Sequence, residues 1–208
     1  MKEKYAADNF WQKFLDGQDD YEAFSRIYNL YINDLLSYGI SFGFAEETCR
    51  DAAHDLFFKI YTEKNRLSSV KNPTSYLFRS FRNHLFNIQK RQNRLSPDLT
   101  LEKSAFTTEI TILDSMISEE ETQKLKRIVE DLLKELTPRQ REAIYLRYMQ
   151  EMDYEDIAVL LDMNVNSARR LVSRGIDSLR DKTLNMGNDS LTVLIFLLAA
   201  YIKENLSL

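Results

Sequence analysis

The sequence predicts an all-α protein with two small helical domains, and three observations support this fold class. Apolar residues recur at steps of three and four along most of the chain, which is typical of amphipathic helices. No segment shows period-two alternation bounded by turn residues, so no β-sheet is predicted. The chain has 208 residues, 44% of them hydrophobic, with only 5 Gly and 3 Pro. This composition allows one or two buried cores and excludes collagen-like and linker-like chains.

The first predicted long helix carries an apolar stripe over six turns, which is too regular for a strand. Gly39 and Gly43 are expected to weaken and end this helix. A shorter helix is predicted before it, near residues 10–15. The residues of the stripe are Tyr21, Phe24, Tyr28, Tyr31, Leu35, Tyr38 and Phe42.

Two further helices complete the predicted first bundle. One runs from Glu46 to about Glu63, and the loop 65–71 follows it. In the other, Asn72 is a cap and Pro73 is the first helical residue. Their inward-facing residues are expected to be Ala52, Ala53, Leu56, Phe57, Ile60, Tyr76, Leu77, Phe81, Leu85 and Ile88.

The second domain has the clearest local signals. Thr137, Pro138 and Gln140 form a capping box with proline at the first helical position. Two later helices are joined by the three-residue turn 162–164, in which Asn164 caps the second helix. This arrangement predicts a helix-turn-helix. The residues expected to be buried are Ala143, Ile144, Leu146, Tyr148, Tyr154, Ile157, Ala158, Leu161, Val165, Ala168, Val172, Ile176 and Leu179.

Charge is distributed in blocks. Residues 71–94 contain six Lys and Arg and no Asp or Glu, whereas residues 98–135 contain ten acids and five bases. A second basic cluster lies within 163–180. Blocks of opposite sign indicate parts with different partners. The predicted organisation is a bundle at 1–95, an acidic linker at 96–118, a helix-turn-helix domain at 119–184 and an apolar C-terminal tail helix at 185–208.

No enzymatic or metal site is predicted. The chain contains no glycine-rich phosphate-binding motif. Cys49 and His54 are five residues apart, about 140° around a helix, so they do not form a catalytic dyad. Two histidines and one cysteine do not give a recognised zinc spacing. We therefore expect no cofactor, no metal and no catalytic residue, and Cys49 is interpreted as a small core residue.

The compartment is predicted from the cysteine count and the N-terminus. One cysteine allows no intramolecular disulfide, which suits a reducing compartment. The polar start of the sequence lacks the apolar run of a secretory signal. The expected location is the cytoplasm.

The outer face of the helix-turn-helix is predicted to bind DNA. In such a unit this face enters the major groove. Arginine binds guanine bidentately and asparagine binds adenine, and both also bind phosphate. The residues on or near this face are Asn166, Ser167, Arg169, Arg170, Ser173 and Arg174.

Two segments resemble the conserved regions 2 and 4 of bacterial sigma factors of the extracytoplasmic-function type, within the sigma-70 family. The first comprises residues 51–61 (DAAHDLFFKIY) and 72–83 (NPTSYLFRSFRN). The second comprises residues 136–142 (LTPRQRE) and 154–158 (YEDIA). The two motifs occur in this order at a sigma-like linker length, which makes the resemblance specific.

This resemblance implies a protein that binds core RNA polymerase and directs it to promoter DNA. The implied polymerase contacts are Asp51, His54, Asp55 and Lys59. The second domain would read the minus-thirty-five duplex through the outer face defined above. The residues implied to hold the melted minus-ten strand are Asn65, Arg66, Lys71, Tyr76, Arg79, Arg82 and Asn83.

The minus-ten assignment also has a physical basis. Unpaired bases need both cations and aromatic stacking faces, and residues 71–94 supply both. The candidate rings are Tyr76, Phe78, Phe81 and Phe86. Phe81 is favoured as a core residue, and removal of Tyr76 or Phe78 is expected to impair melting more than duplex binding if either ring faces the strand.

The sequence departs from the family pattern at three positions. The family usually has glutamine where His54 stands, glycine where Asp162 stands and a basic residue where Leu171 stands. Aspartate tolerates left-handed backbone geometry better than most residues, so the turn at Asp162 is expected to survive.

The tail contains thirteen uncharged residues, 190–202. As a helix it would extend about 20 Å, which is shorter than the ~30 Å hydrocarbon core of a bilayer. No stable membrane span is therefore predicted. Three roles are open: packing that holds the domains in an inactive arrangement, completion of the second core, and docking of an anti-sigma factor.

Two other functions fit the same helical pattern. One is a stand-alone helix-turn-helix regulator whose N-terminal bundle senses a ligand or dimerises. The other is a helical adaptor that binds only protein and uses its arginines for acidic partners. Conversion of core polymerase into a promoter-specific enzyme would distinguish a sigma factor from both.

Overall fold

A computed structural model describes residues 2–17, 20–95, 106 and 132–186 of the chain. The chain divides into two compact units, Met1–Ala105 and Phe106–Leu208. In the described ranges the regular structure is entirely helical, which confirms the predicted all-α class. The predicted tail beyond Met186, and the predicted linker except Phe106, lie outside the described residues.

Across residues 2–95, the first unit contains the α-helices α1 (Lys2–Asp16), α2 (Asp20–Ile40), α3 (Glu46–Thr62) and α4 (Pro73–Leu95). A 3₁₀ turn at Lys64–Arg66 occupies the beginning of the predicted loop 65–71. The cap prediction is confirmed, since Asn72 Oδ1 accepts a hydrogen bond from Ser75 N at 3.0 Å.

Several predictions for the first unit were wrong. Tyr76 and Ile88, predicted to face inward, are only half-buried. The N-terminal helix is longer than residues 10–15, because Ala7, Trp11 and Phe14 continue one buried stripe at helical spacing. Tyr21 is 82% exposed. The buried side of α2 begins instead with Ala23, two residues later in the sequence.

Gly39 has a packing role that the sequence did not indicate. It is buried inside α2, which continues to Ile40. A Cβ at Gly39 would lie 2.6 Å from Cys49 Sγ, 3.0 Å from Leu85 Cδ1 and 3.2 Å from Phe81 Cε1. The missing side chain thus lets α2 approach both α3 and α4. Gly43, with φ +81°, follows the end of α2.

In the described part of the second unit, residues 132–134 are helical and three helices follow them: α5 (Pro138–Ile144), α6 (Tyr154–Leu160) and α7 (Val165–Met186). A π-helical turn at Tyr145–Met149 extends α5. Phe106 is 1% exposed, and its ring centroid is 5.5 Å from that of Tyr145. The core of this unit therefore includes a residue that precedes α5 by more than thirty positions.

The π turn corrects one burial prediction. Tyr148 was expected inside, but it is 37% exposed, and Tyr145 is buried instead. Gln150 N donates to Tyr145 O at 3.2 Å, a bond over five residues rather than four. A π turn holds more residues per turn than an α turn, so it changes which side chains face the core. Tyr154, Val165 and Ile176, also predicted as buried, are only half-buried.

We expect Gly39→Ala to destabilise the first unit by about 1–3 kcal/mol, because the added methyl would overpack the junction of three helices. Chemical denaturation followed by circular dichroism measures this change. Adding Cys49→Ala should recover part of the loss, since it removes the nearest atom. Ser37→Ala, an exposed change on the same helix, serves as the control. Equal stability of the Gly39→Ala and control variants would contradict the packing role.

Burial, reinforced by the charge of Glu46, raises the pKa of the Cys49 thiol from 9.0 to about 11. The folded state therefore retains the thiol proton at a pH where the unfolded chain has lost it. Stability from this group is complete below pH 9.0 and is lost as the pH rises towards about 11. We expect the wild-type protein to lose more stability over this range than Cys49→Ala, as measured by denaturation at stepped pH. Parallel curves for the two proteins would contradict the assignment.

Candidate nucleic-acid interface

The helix-turn-helix consists of α6, the turn 161–164 and α7. Asp153 Oδ1 accepts from Asp156 N at 2.9 Å and caps α6. Asn164 Oδ1 accepts from Ser167 N at 2.8 Å and caps α7, as predicted. Both helices therefore begin at side chains that satisfy otherwise unpaired backbone N–H groups.

The turn between the helices is closed by backbone hydrogen bonds. Met163 N donates to Ala158 O at 2.9 Å, and Leu161 N donates to Ile157 O at 2.9 Å. Asp162 has φ 54°, in the left-handed region, as its place in the turn predicts. Arg139 Nη2 donates to Leu161 O at 3.0 Å and thereby ties the beginning of α5 to this turn.

The capping box at the beginning of α5 is confirmed. Thr137 Oγ1 accepts from Gln140 N at 3.3 Å, and Gln140 Oε1 accepts from Thr137 N at 2.8 Å. Pro138 is the first helical residue. The capping box fixes where α5 begins. It thereby places Arg139, in the first turn of α5, within hydrogen-bonding distance of Leu161 in the turn before α7.

The inner face of α7 packs on α5. A Cβ at Gly175 would lie 2.7 Å from Ile144 Cδ1 and 3.4 Å from Gln140 Cβ, so glycine permits close contact. Ala168, Val172 and Leu179 are buried on the same side. This packing fixes which face of α7 remains in solvent.

The structure brings the six predicted duplex-binding residues together on α7. Ser167 is half-buried, and the other five are exposed. Their spacing of three and four residues places them on one outer face. Leu171, where the family usually has a basic residue, is half-buried. The exposed five are Asn166, Arg169, Arg170, Ser173 and Arg174.

The predicted minus-ten residues divide into two groups in the first unit. Arg79 and Asn83 are exposed one turn apart on α4, and Tyr76 is half-buried one turn earlier on this side of the helix. Arg82 is half-buried, with its guanidinium 4.9 Å from the Phe86 ring centroid. The other three residues precede α4 and are exposed: Asn65, Arg66 and Lys71.

Phe78 was expected to be able to stack on DNA, and this is wrong. Phe78 is 0% exposed, and its ring centroid is 5.1 Å from that of Tyr38 in the core. Phe81 is also 0% exposed, as the core interpretation predicted. Among the four candidate rings, Tyr76 and Phe86 retain partial exposure.

The four predicted polymerase contacts lie on the outer side of α3. Asp51, His54, Asp55 and Lys59 are all exposed. His84 Nε2 is 3.3 Å from Asp55 Oδ2, which links this side to α4.

Phe58 lies among these charged residues and is 71% exposed. It is not among the predicted functional residues. The available signal was the run 56–58, because three consecutive apolar residues on a helix cannot all face the core. Leu56 and Phe57 are the two that do.

The described residues contain no cluster of metal-binding side chains. Cys49 is buried whereas His54 is exposed. None of the helices described has the combination of length and hydropathy needed to cross a bilayer.

We expect Asp162→Gly to stabilise the second unit by up to about 1 kcal/mol, because glycine adopts positive φ without the steric cost that other residues bear. Asp162→Val should destabilise it, since a β-branched residue is strained there. Thermal unfolding of the full chain measures both changes. A lower melting temperature for Asp162→Gly would contradict the left-handed turn.

Comparison with known proteins identifies the second unit and the fold. Residues 126–179 match the family profile "Sigma-70, region 4". No curated protein matches the chain. A similar solved structure is the sigma factor RpoE in a co-crystal with the anti-sigma factor NepR from Bartonella quintana, at 22% identity and a TM-score of 0.53.

That structural match covers 76% of this chain and 94% of the other. It extends beyond region 4, because each compact unit is about half of the chain. The two-unit helical fold is thus the one that the resemblance to extracytoplasmic-function sigma factors implies. The chain therefore contains a segment that matches sigma-70 region 4, within a helical fold similar to that of a solved sigma factor.

Proposed function

We propose that this protein is a sigma factor that binds core RNA polymerase and directs promoter-specific initiation of transcription. The observation that carries the proposal is the cationic outer face of α7, presented by a helix-turn-helix within the region matched to sigma-70 region 4. A stand-alone regulator is not favoured, because the fold match extends well beyond this domain.

The outer face of α7 is proposed to read the minus-thirty-five duplex. Arg169, Arg170 and Arg174 supply cations for phosphate and for guanine edges, and Asn166 supplies an amide for adenine. Ser167 and Ser173 are proposed to contact the same duplex. The caps at Asp153 and Asn164 hold the two helices in place for this task.

The basic side of the first unit is proposed to capture the melted minus-ten strand. Lys71, Arg79 and Asn83 are exposed there, and the half-buried Tyr76 offers a partly accessible ring. Cations follow the strand, and a ring stacks on an unpaired base. Asn65, Arg66 and Arg82 complete the proposed set.

The outer side of α3 is proposed to bind polymerase through Asp51, His54, Asp55 and Lys59. Phe58 is proposed as the hydrophobic anchor in their midst, because exposed aromatic residues surrounded by polar ones are typical of interface hot spots. Its side chain is 71% exposed and is therefore accessible to a partner.

Regulation and location follow from the same assignment. The matched sigma factor was crystallised with an anti-sigma factor, and we propose that a protein of this class regulates the present chain. The proposed location is the cytoplasm, where core polymerase and promoters meet. The proposal assigns no catalytic residue, cofactor or metal to the chain, because the polymerase supplies the chemistry.

Run-off transcription tests the proposal directly. Core RNA polymerase is incubated with a pool of promoter fragments, with and without the purified chain, and transcripts are sequenced. The expected result is a defined set of start sites that requires the chain. Identical transcripts in both reactions would overturn the proposal.

We expect simultaneous replacement of Arg169, Arg170 and Arg174 by alanine to weaken promoter recruitment at least tenfold. Each lost base contact is worth about 1–3 kcal/mol. The measurement is holoenzyme binding to a promoter recovered from the run-off reaction. Replacing Lys13 and Arg26, exposed cations outside the proposed surfaces, is the control. Equal losses per charge removed in the two variants would indicate that only net charge matters.

We expect Phe58→Ala to weaken binding to core polymerase by more than 1 kcal/mol, as truncation of an interface anchor does. Fluorescence titration of labelled chain with core enzyme measures the affinity. Tyr21→Ala removes an 82% exposed ring from α2 of the same unit and is the matched control. If the two variants bind equally well, Phe58 is not an anchor.

A further inference from the structure

Tyr154, the first residue of α6, contacts two guanidinium groups. Arg147 Cζ is 4.8 Å from the ring centroid, and Arg169 Cζ is 5.4 Å from it. Both distances fall within the range of cation–π interactions. The half-buried ring of Tyr154 therefore links the π turn after α5 to the outer face of α7.

The two arginines are held in different ways. Arg147 is half-buried, and its Nη1 donates to Met152 O at 2.7 Å, so it is committed to the loop before α6. The side chain of Arg169 is 57% exposed, and its Nη2 lies 3.5 Å from Glu155 Oε1. Arg169 thus reaches solvent while two consecutive residues of α6 orient it.

Arg170 provides a contrast on the same face. It is exposed, and in the described part of the chain it has no ring contact, ion pair or side-chain hydrogen bond. Binding DNA must therefore order the whole Arg170 side chain, at a cost in conformational entropy. Arg169 is already partly ordered in the free protein by its contacts with Tyr154 and Glu155, so its DNA binding costs less conformational entropy.

We infer that Tyr154 is a positioning residue that orders the guanidinium of Arg169 for contact with DNA. This inference rests on the proposed function of the α7 outer face. A guanidinium binds a guanine edge or a phosphate bidentately only when its plane is correctly presented. Contact with the aromatic face together with the ion pair to Glu155 restricts the orientation of the guanidinium more than the ion pair alone.

A double-mutant cycle on the full chain, assembled with core polymerase, tests the inference. Holoenzyme affinity is measured for a promoter recovered from the run-off pool. Tyr154→Leu should weaken binding about two- to fivefold, the value expected for one exposed cation–π contact. Tyr154→Phe should bind like the wild type, because the ring remains.

The background variants separate positioning from general damage to the fold. In an Arg169→Ala background, Tyr154→Leu should have no further effect on affinity. In an Arg170→Ala background, it should retain its full effect. Side-chain Nε–H relaxation of Arg169 in the free chain should show restricted motion in the wild type and Tyr154→Phe, and faster motion in Tyr154→Leu.

Three results would overturn the inference. An equal effect of Tyr154→Leu in both arginine backgrounds would show that the ring acts through the fold. Unchanged Arg169 relaxation in Tyr154→Leu would show that the ring does not order the guanidinium. If Arg169→Ala bound the promoter with full affinity, Arg169 would not contact DNA. In each case chain-dependent run-off transcription still reports separately on the proposed function.

Discussion

The close contact between α5 and α7 is the constraint on which the helix-turn-helix depends. Gly175 lets α7 approach Ile144, and this contact buries one side of a helix whose opposite side is cationic. Arginine side chains cannot be buried without partners except at a large cost in free energy. Packing of the inner side against α5 and solvation of the arginines on the outer side therefore favour the same rotation of α7 about its axis.

A second constraint fixes the position of α7 along its axis. The turn before it closes through the left-handed Asp162, and Arg139 binds the backbone of this turn from α5. The capping box at Thr137 sets where α5 begins. A chain of local hydrogen bonds thus connects the beginning of α5 to the beginning of α7, the helix that carries the cationic face.

In the first unit, the proposed functional surfaces lie on helices whose other sides form an aromatic core. Gly39 allows three of these helices to meet closely. Phe78 and Trp11 are buried there, which leaves charged residues and a few rings outside. With a net charge of −4, the protein as a whole does not attract nucleic acid, so the proposed DNA contacts depend on local basic surfaces. Attachment to a larger enzyme is consistent with such limited surfaces.

The sequence by itself determined the helical class, the caps at Asn72, Thr137 and Asn164, and the cationic outer face of α7. These features depend on neighbours within four or five positions, which periodicity and capping chemistry report directly. Tertiary structure alone decided that Phe78 is buried, that Gly39 and Gly175 are contact points and that Tyr145 rather than Tyr148 faces the core. Each of these depends on an atom from a distant helix or on a π turn, and the spacing of residues in one helix carries no information about either.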